Sequence, residues 1–393
     1  MKTKKGFSLT ATIIIIIVTA IVSSIATGLI LFNNYNVKSK ITYKKLSGDK
    51  NLQEFIEAYS SLSKEYYEDI DKGKLIESAI QGMTEYLGDK YTTFMNENEK
   101  KMLESSLNGK YTGIGVLVSD NEIKQVFVGS PAEKSGVQVG DKIIRVDGED
   151  VTNLSATEIV NLIRKNDESA TIVFLRDDKE IELTIEFKSL DIPSISYKTL
   201  DNNVGYIYIG SFSSSLSKQV KGALEKLEEE QIGSLIIDLR DNAGGYLMSA
   251  SDVASLFLEK GKTIYSLSNN KEKEVYKDQS DEKRTYPIIV LINENSASSA
   301  EILAAALKES YGATVVGKTS YGKGKVQQTK HLSDGSMIKY TTALWLTPSG
   351  ECIDETGIKP DYEIDMSVTY GEDGKITNIE DTQLKKAEEL LGQ

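Results

Sequence analysis

The sequence predicts a multidomain α/β protein with a separate, mostly β domain, helical segments at both ends and one N-terminal transmembrane helix. The chain has 393 residues, more than the roughly 100–200 of a typical domain. Apolar runs alternate with helical patterns over residues 204–310, which favours a mostly parallel sheet covered by helices. Short alternating runs separated by Gly, Asp and Ser over residues 114–187 favour the β domain.

Composition excludes several classes of function. The net charge is −13, and phosphate binding needs a basic face, so we expect no nucleic-acid partner. Cys352 and His331 are the single cysteine and the single histidine of the chain. They cannot readily build a structural zinc site, a disulfide or a His-paired nucleophile. No nucleotide or dinucleotide fingerprint is complete either. We therefore expect no metal and no cofactor.

The N-terminus has the pattern of a membrane anchor. Lys2, Lys4 and Lys5 precede an uncharged, apolar run that extends to Phe32. A span needs about 20 apolar residues, and a cleaved signal peptide, the alternative, would have a shorter run of roughly 7–15. Lysines before the span predict a cytoplasmic N-terminus, with the residues after the span outside the cytoplasm and anchored in the cell membrane by a single helix.

A helical segment follows the anchor. From Leu52 onward, apolar residues recur at Phe55, Tyr59 and Leu62, which is the i, i+4, i+7 spacing of one helix face. A second helical pattern reaches the turn-like sequence Leu87-Gly88-Asp89. We interpret both helices as a packing or dimerisation segment.

The β domain carries a recognisable set of turns. Tyr-Thr-Gly-Ile-Gly-Val at 111–116 precedes Gly-Ser-Pro-Ala at 129–132 and Val-Gly-Asp-Lys at 139–142. Together these segments resemble a PDZ domain, a module in which backbone N–H groups capture a peptide carboxylate while the peptide pairs with an open strand edge. The peptide-binding residues implied by this resemblance are Tyr111, Thr112, Gly113, Ile114, Gly115 and Val116. Arg164, in the helix predicted over 159–164, is a candidate sensor of peptide binding; a plain surface arginine is the alternative.

Two loops of unusual composition follow predicted core strands, where ligands of such sheets bind. Residues 238–245 end in Gly244-Gly245, and paired glycines let N–H groups turn toward a ligand. Residues 293–301 contain Ser296, Ser298 and Ser299 just before a helix, where an oxyanion could be stabilised. Read locally, the first loop is a tight turn and the second a helix N-cap.

A third segment favours a functional interpretation of both loops. Residues 317–328 contain Gly-Lys-Gly around Lys323 and a glutamine four positions later, at Gln327. Residues 296–328 resemble the active-site region of the C-terminal (tail-specific) processing peptidases, and the order of segments over residues 50–393 resembles that family throughout. The resemblance implies a crotonase/Clp-protease-like α/β peptidase core with an inserted PDZ domain.

The resemblance also assigns roles to residues. It implies Ser298 as nucleophile, Lys323 as general base and Gln327 as the residue that orients the amine. It implies that N–H groups of Gly244 and Ser299 form the oxyanion hole, with Gly245 shaping the loop. The family normally has alanine at the position of Ser299.

A Ser-Lys dyad fits a chain that has one histidine, but its lysine must be neutral. The pKa of Lys323 would have to fall from about 10.4 to nearer 7–8 through burial or neighbouring charge. Lys318 and Lys325 lie beside it and are interpreted as solvated. Glu301 is interpreted as a first-turn acid that favours the start of the helix.

The predicted function is a membrane-anchored serine endopeptidase that takes protein or peptide substrates with a free C-terminus. A catalytically inert PDZ scaffold and another hydrolase or acyl-transfer enzyme on a crotonase-like sheet are the alternatives. The C-terminal helix, with Leu384, Ala387 and Leu391, either caps the core or joins a homodimer. The predicted segments are residues 1–7 (cytoplasmic N-terminus), 8–32 (transmembrane anchor), 33–50 (linker), 51–99 (N-terminal helical segment), 100–188 (PDZ domain), 189–366 (peptidase core) and 367–393 (C-terminal helical segment).

Overall fold

A computed structural model describes residues 48–127, 129–166, 168–191, 193–269, 271–370 and 376–392. The predicted anchor and nearly all of the predicted linker lie outside these residues. Within them, every helix is too short or too polar to cross a bilayer. The chain divides into two compact units, Met1–Met83 and Thr84–Gln393.

The first unit contains the two predicted helices. Helix α1 (Lys50–Glu65) begins at Asp49, whose carboxylate accepts the N–H groups of Asn51 and Leu52. Helix α2 (Lys72–Tyr86) follows and runs just past the boundary of the unit. Neither helix has a buried residue, and several large apolar side chains are exposed, among them Phe55, Ile56, Leu62 and Met83.

The second unit opens with a short strand and a helix that precede the β domain. Strand β1 is Thr93–Met95 and helix α3 is Glu97–Leu107. A capping box starts α3: the Asn96 side chain accepts the N–H of Glu99, and the Glu99 carboxylate accepts the N–H of Asn96.

The β domain has the predicted strands and helix. Its elements are β2 (Lys110–Gly113), β3 (Val116–Ser119), β4 (Glu122–Val126), α4 (Pro131–Lys134), β5 (Lys142–Val146), β6 (Glu149–Asp150), α5 (Ala156–Ile163), β7 (Ser169–Arg176), β8 (Lys179–Glu186) and β9 (Lys188–Asp191). The sheet order is β3-β4-β5-β7-β8, so β3 lies at an edge. Strands β2 and β9 pair separately where the chain enters and leaves the domain.

An ion pair explains the Gly-Asp turn of this domain. Asp141 is buried, and its carboxylate accepts two hydrogen bonds from Arg176, at 2.6 and 2.7 Å, and one from the Gln138 N–H at 2.8 Å. Burial opposes ionisation, but these contacts hold the pKa of Asp141 below its usual value. The turn is therefore fixed to the far end of β7.

The α/β core follows. Its elements are β10 (Ile195–Leu200), β11 (Val204–Ile209), α6 (Leu216–Glu229), β12 (Ser234–Asp238), α7 (Leu247–Ala254), β13 (Thr263–Ser268), β14 (Lys273–Lys277), β15 (Ile288–Ile292), α8 (Ser299–Ala306), β16 (Thr314–Gly317), β17 (Lys325–His331), β18 (Met337–Leu346) and β19 (Tyr362–Glu363). One sheet has the order β10-β11-β12-β15-β16-β19 and is parallel apart from β10. This confirms the predicted mostly parallel sheet.

A second, antiparallel sheet was not predicted. Strand β18 lies at its centre and pairs with β17, with β1 and with β13, which in turn pairs with β14. The pairing of β18 with β17 shifts register between Val326 and Gln327. Such irregularities commonly re-aim side chains beside functional sites.

The C-terminal segment was predicted to be helical, and this is only partly correct. A hairpin of β20 (Ser367–Tyr370) and β21 (Ile376–Glu380) precedes helix α9 (Thr382–Leu391). Ala387 of α9 is buried against Ile289, Leu291 and Val316 of the parallel sheet. Of the two predicted roles of this helix, the structure shows the capping of the core.

Candidate active site

Three loops meet at the carboxyl ends of β12 and β15. We call them the glycine loop (residues 240–245), the serine loop (293–298) and the lysine loop (320–324). The Asn293 side chain exchanges two hydrogen bonds with Asp241, each 2.9 Å, and the Ala297 N–H donates to Asn242 O at 2.9 Å. The Tyr321 N–H donates to Ser296 O at 3.0 Å. The serine loop is thus bonded to both of the others.

The structure separates the roles of the three serines. Ser296 is buried and its hydroxyl donates to Leu239 O at 2.8 Å, so it fixes the loop. Ser299 is buried and its hydroxyl donates to Gly245 O at 3.1 Å. Ser298 is half-buried and has φ 56° and ψ −115°, a strained conformation for a residue with a side chain. Strain of this kind occurs where a nucleophilic serine is presented on a sharp strand-to-helix turn.

The glycine loop lies directly against Ser298. A Cβ atom on Gly244 would lie 2.9 Å from Ser298 Cβ and 3.0 Å from the nitrogen of Ser299, so only glycine fits. Gly245 has φ 150°, and a Cβ there would lie 2.3 Å from Phe212 O. The Gly244 N–H donates to Asn242 Oδ1 at 2.8 Å. An oxyanion role for Gly244 therefore requires that this bond be shared or exchanged.

The lysine loop is held by main-chain contacts on both sides of Lys323. The Gly324 N–H donates to Asp354 Oδ1 at 2.9 Å, and the Trp345 indole donates to Lys323 O at 2.8 Å. Burial, followed by the charge of Lys339, lowers the pKa of Lys323 from its ordinary value. This is the direction that a general base requires.

Glu301 joins the serine and lysine loops. It lies in the first turn of α8, as predicted, and it has further contacts that the sequence did not indicate. It is fully buried. Its Oε2 accepts the N–H groups of Ser298, at 2.7 Å, and Lys323, at 2.9 Å. Its Oε1 accepts the Ser320 hydroxyl at 2.6 Å and the Gly322 N–H at 2.7 Å. One carboxylate oxygen therefore fixes the main chain of both residues of the predicted dyad.

The other predicted partner of the amine lies nearby but bonds elsewhere. The Gln327 side chain donates to Thr341 Oγ1 at 3.4 Å, across the register shift between β17 and β18. Among the described residues, no hydrogen bond joins Gln327 to Lys323. Its role in orienting the amine stays a prediction.

The two neighbouring lysines form ion pairs. Lys318 lies 2.7 Å from Asp365 and 3.3 Å from Glu363, and these hydrogen bonds raise its pKa. Lys325 lies 3.4 Å from Asp89. The raised pKa of Lys318 is unsuited to a base, and the Lys325 amine is paired with a carboxylate.

Comparison with known proteins identifies the family. The family model described as "Peptidase family S41" matches residues 203–364, "PDZ domain" matches 122–176, and "Activating protease CtpB N-terminal domain" matches 26–99. The chain is 36% identical to "Carboxy-terminal processing protease CtpA" of Bacillus subtilis (strain 168), over 90% of this chain and 76% of that protein. The chain belongs to the carboxy-terminal processing proteases. It is a serine-type peptidase with a PDZ domain.

Two other relatives agree with this assignment. "Carboxy-terminal processing protease CtpB" of the same organism is 37% identical, over 80% of this chain and 68% of that protein. "Probable CtpA-like serine protease" of Staphylococcus haemolyticus (strain JCSC1435) is 32% identical, over 86% and 70%. Among solved structures, "Photosystem II D1 C-terminal processing protease" aligns with a TM-score of 0.48 and 24% identity, over 79% of this chain and 92% of that chain.

The predicted peptide-binding residues of the protease lie at the entrance to its PDZ domain. Tyr111, Thr112 and Gly113 belong to β2, and Val116 begins the edge strand β3. Between them, Ile114 is buried, and its carbonyl accepts the Ala132 N–H at 2.9 Å. Gly115 has φ 83°, and a Cβ there would lie 2.4 Å from Ser130 Cβ. The turn after β2 therefore requires glycine at this position.

Arg164 lies at the C-terminal end of α5. It is half-buried, and its N–H bonds to Val160 O at 3.1 Å. Its role as a sensor stays a prediction.

Proposed function

We propose that the protease is a membrane-anchored endopeptidase that recognises C-terminal tails through its PDZ domain and cleaves them with a Ser298–Lys323 dyad. The observation that carries this proposal is the shared carboxylate oxygen of Glu301. It holds the main-chain N–H groups of Ser298 and Lys323, at 2.7 and 2.9 Å, although the two residues come from different loops. The strained backbone of Ser298 and the lowered pKa of Lys323 support the same assignment.

In the proposed mechanism, the neutral Lys323 amine takes the proton of the Ser298 hydroxyl as Oγ attacks the scissile carbonyl. N–H groups of Ser299 and Gly244 stabilise the oxyanion, and Gly245 shapes their loop. The C–N bond then breaks, and the Lys323 ammonium gives its proton to the leaving amine. Water attacks the resulting acyl-enzyme with Lys323 again as base, which releases the new carboxyl terminus and free Ser298.

Substrate capture is proposed to occur at the edge of the PDZ sheet. A free C-terminal tail would add to β3 as an antiparallel strand, and N–H groups of residues 113–115 would bind its carboxylate. The edge position of β3 and the left-handed conformation of Gly115 support this arrangement. Captured in this way, the tail supplies the extended chain that the peptidase core cleaves.

The cellular location is also a proposal. Lysines before an apolar run predict a single-pass anchor at residues 8–32, with the N-terminus in the cytoplasm. Reporter fusions at residues 5 and 50 test this topology. A reporter at residue 50 that is active on the cytoplasmic side would contradict it.

A homodimer through the first unit is a further proposal, supported by its exposed apolar side chains. Light scattering on the full chain and on a Phe55→Ser/Leu62→Ser variant measures it. A monomeric full chain at micromolar concentration would argue against it.

Peptides with free and amidated C-termini, incubated with wild type and Ser298→Ala, test the proposed function. We expect wild type to cleave the free-tailed peptide with the higher kcat/KM. We expect Ser298→Ala to lower kcat by about 10³-fold or more, because the nucleophile is lost. Equal cleavage by both proteins would remove Ser298 from the mechanism, and equal cleavage of both peptides would remove the carboxylate from recognition.

A further inference from the structure

A tyrosine that precedes the PDZ domain covers the amine of the predicted base. The ring centroid of Tyr91 lies 4.8 Å from Lys323 Nζ, 5.0 Å from Lys90 Nζ and 5.8 Å from Lys325 Nζ. Tyr91 is half-buried, and it lies in a segment that the sequence indicated only as following a turn. This contact brings a residue from outside the three loops into the candidate site.

The ring is anchored through Asp89. The Asp89 carboxylate accepts hydrogen bonds from Thr341 Oγ1 at 2.6 Å, from Thr92 Oγ1 at 2.7 Å and from the Tyr91 N–H at 3.4 Å. Burial opposes ionisation, but these bonds and the charge of Lys325 lower the pKa of Asp89 to about 2. Asp89 is therefore ionised at neutral pH and holds the segment against β18.

The same anchor reaches Gln327. Thr341 Oγ1 donates to Asp89 while it accepts the Gln327 amide at 3.4 Å. Strand β1 continues the attachment, since Thr93 pairs with Lys339 of β18. The Lys323 amine thus contacts Tyr91 directly, and Gln327 is connected to Asp89 through Thr341.

Several charged or titratable groups face the Lys323 amine from the surrounding elements. Burial is the largest influence on its pKa and lowers it; Lys339 lowers it further, and Tyr321, Glu301 and Asp89 raise it. An aromatic ring has two opposite effects on such an amine: it excludes water, which disfavours the charge, and its face attracts the ammonium. Since burial is the largest influence on the pKa of Lys323, we assign the first of these effects, exclusion of water, to the Tyr91 ring.

We propose that Tyr91 is a positioning residue for the base: its ring, anchored through Asp89 and Thr341, covers the Lys323 amine and keeps water away from it. This inference deepens the proposed function and rests on it for its catalytic meaning. Its physical content, a Tyr91 ring that controls the protonation of Lys323, can be measured without any peptidase activity.

The test measures how Lys323 reacts with an amine-selective reagent as the pH is varied. Full-length protein carrying Ser298→Ala is pulse-labelled with acetic anhydride, which acylates neutral amines, and the extent of labelling at Lys323 is read by mass spectrometry with exposed Lys330 as internal reference. Tyr91→Ala is expected to raise the midpoint of Lys323 labelling by about one pH unit. Tyr91→Phe and Tyr91→Leu keep apolar bulk over the amine and should stay within about 0.3 units of the parent. Tyr197→Ala, at an exposed tyrosine of β10, is the matched control and should leave the midpoint unchanged.

An unchanged midpoint in Tyr91→Ala overturns the inference. If that variant does not fold, Tyr91→Gln replaces it, because glutamine retains side-chain length and presents a polar group to the amine; an unchanged midpoint there also overturns the inference. In protein that retains Ser298, the acidic limb of the pH profile of kcat/KM should move with the labelling midpoint. The value of kcat/KM at pH 7 should therefore fall about tenfold in Tyr91→Ala. A midpoint that moves while the kinetic limb does not would sustain the Tyr91 contact and refute Lys323 as base.

Discussion

Glu301 accepts four hydrogen bonds with a side chain that is wholly removed from solvent. Burial raises the pKa of this carboxyl group, and the four donors oppose that shift. Three of the four partners are backbone N–H groups, which only donate, so the Ser320 hydroxyl is the single one of the four that could accept the O–H of a protonated acid. The contacts therefore select the carboxylate, whose two oxygens match the loops on either side.

Glu301→Gln tests whether the two loops depend on the carboxylate, because it replaces one carboxylate oxygen with an NH2 group and keeps the shape of the side chain. In either orientation the glutamine amide group faces at least one backbone N–H, and we expect the free energy of unfolding to fall by about 2–4 kcal/mol. We also expect kcat/KM to fall at least about tenfold, because the serine and lysine loops lose a common anchor. Urea denaturation and peptide hydrolysis measure the two effects. Glu294→Gln, at an exposed acid of the serine loop, is the control, and an equal effect there would contradict the argument.

Lys323 gives a prediction about pH and stability. Its pKa is lowered in the folded state, mainly by burial. The unfolded chain therefore binds this proton more tightly than the native chain, so stability rises as pH increases from the folded pKa toward about 10.4. Lys323→Met removes the cost of burying the charge, so we expect it to be more stable than wild type at pH 6 and equal to it near pH 10.5.

Thermal unfolding of both proteins across this pH range measures the effect. Lys318→Met is the matched control, because ion pairs raise the pKa of Lys318 and its loss should give no gain. A Lys323→Met protein that is less stable at low pH than at high pH, relative to wild type, would contradict the sign.

At the residue scale, the motifs predicted the loops that meet but missed the groups that hold them. Helical spacing shows only that Glu301 lies in the first turn of a helix. Its partners Ser320, Gly322 and Lys323 lie 19, 21 and 22 positions away in a loop without a periodic pattern. Tyr91 is further still, and nothing in its local sequence indicates that its ring meets a lysine.

At the scale of elements, Arg240 connects the glycine loop to α9. Its guanidinium, 12% exposed, donates to Asp381 at 2.8 and 2.9 Å and to Gln383 at 3.1 Å, and it also bonds Asp238 at the end of β12. Asp381 in turn caps α9 by accepting the Leu384 N–H at 2.9 Å. The last helix is thereby attached to the loop beside Ser298.

Asp381→Asn should weaken this attachment while keeping the cap. Asparagine is a good N-cap, so the loss is confined to the paired hydrogen bonds with Arg240, and we expect a cost of about 1–3 kcal/mol in the free energy of unfolding. Lys385→Gln breaks an exposed pair between α9 and Glu380, the last residue of β21, and should cost under about 0.5 kcal/mol. If urea denaturation gave the same loss in the free energy of unfolding for both variants, the contact between Arg240 and Asp381 would stabilise the protein no more than an exposed ion pair.

The elements whose apolar residues form a clear pattern along the sequence were predicted, and the others were not. Strands β12 and β15 are buried at every position; β15 is a continuous apolar run, and β12 has three consecutive apolar residues at its centre. Strand β17 has the sequence Lys-Val-Gln-Gln-Thr-Lys-His, with no buried residue, so neither alternation nor an apolar run marks it. The antiparallel sheet was missed for this reason. It was also missed because the strands that pair with β18 lie far apart in the sequence, one before the PDZ domain and the others after it.

At the scale of the whole molecule, the two units should be separable. Because α1 and α2 bury no residue, the core of the second unit does not depend on theirs. A chain that begins at Thr84 should melt within about 2 °C of the full chain, since a loss of only about 1 kcal/mol would shift the midpoint by roughly 2–4 °C. Calorimetry measures this, and a drop above about 5 °C would show that the first unit stabilises the second.

The bond between Asp89 and Thr341 joins positions 252 residues apart. At a synthesis rate of roughly 5–20 residues per second, Thr341 leaves the ribosome about 13–50 s after Asp89. The parts of the base site are therefore assembled only when almost the whole chain has been made. Between the synthesis of the serine loop and that of Thr341, the nascent chain lacks part of the proposed Lys323 site, and we expect it to be inactive as a peptidase during that interval.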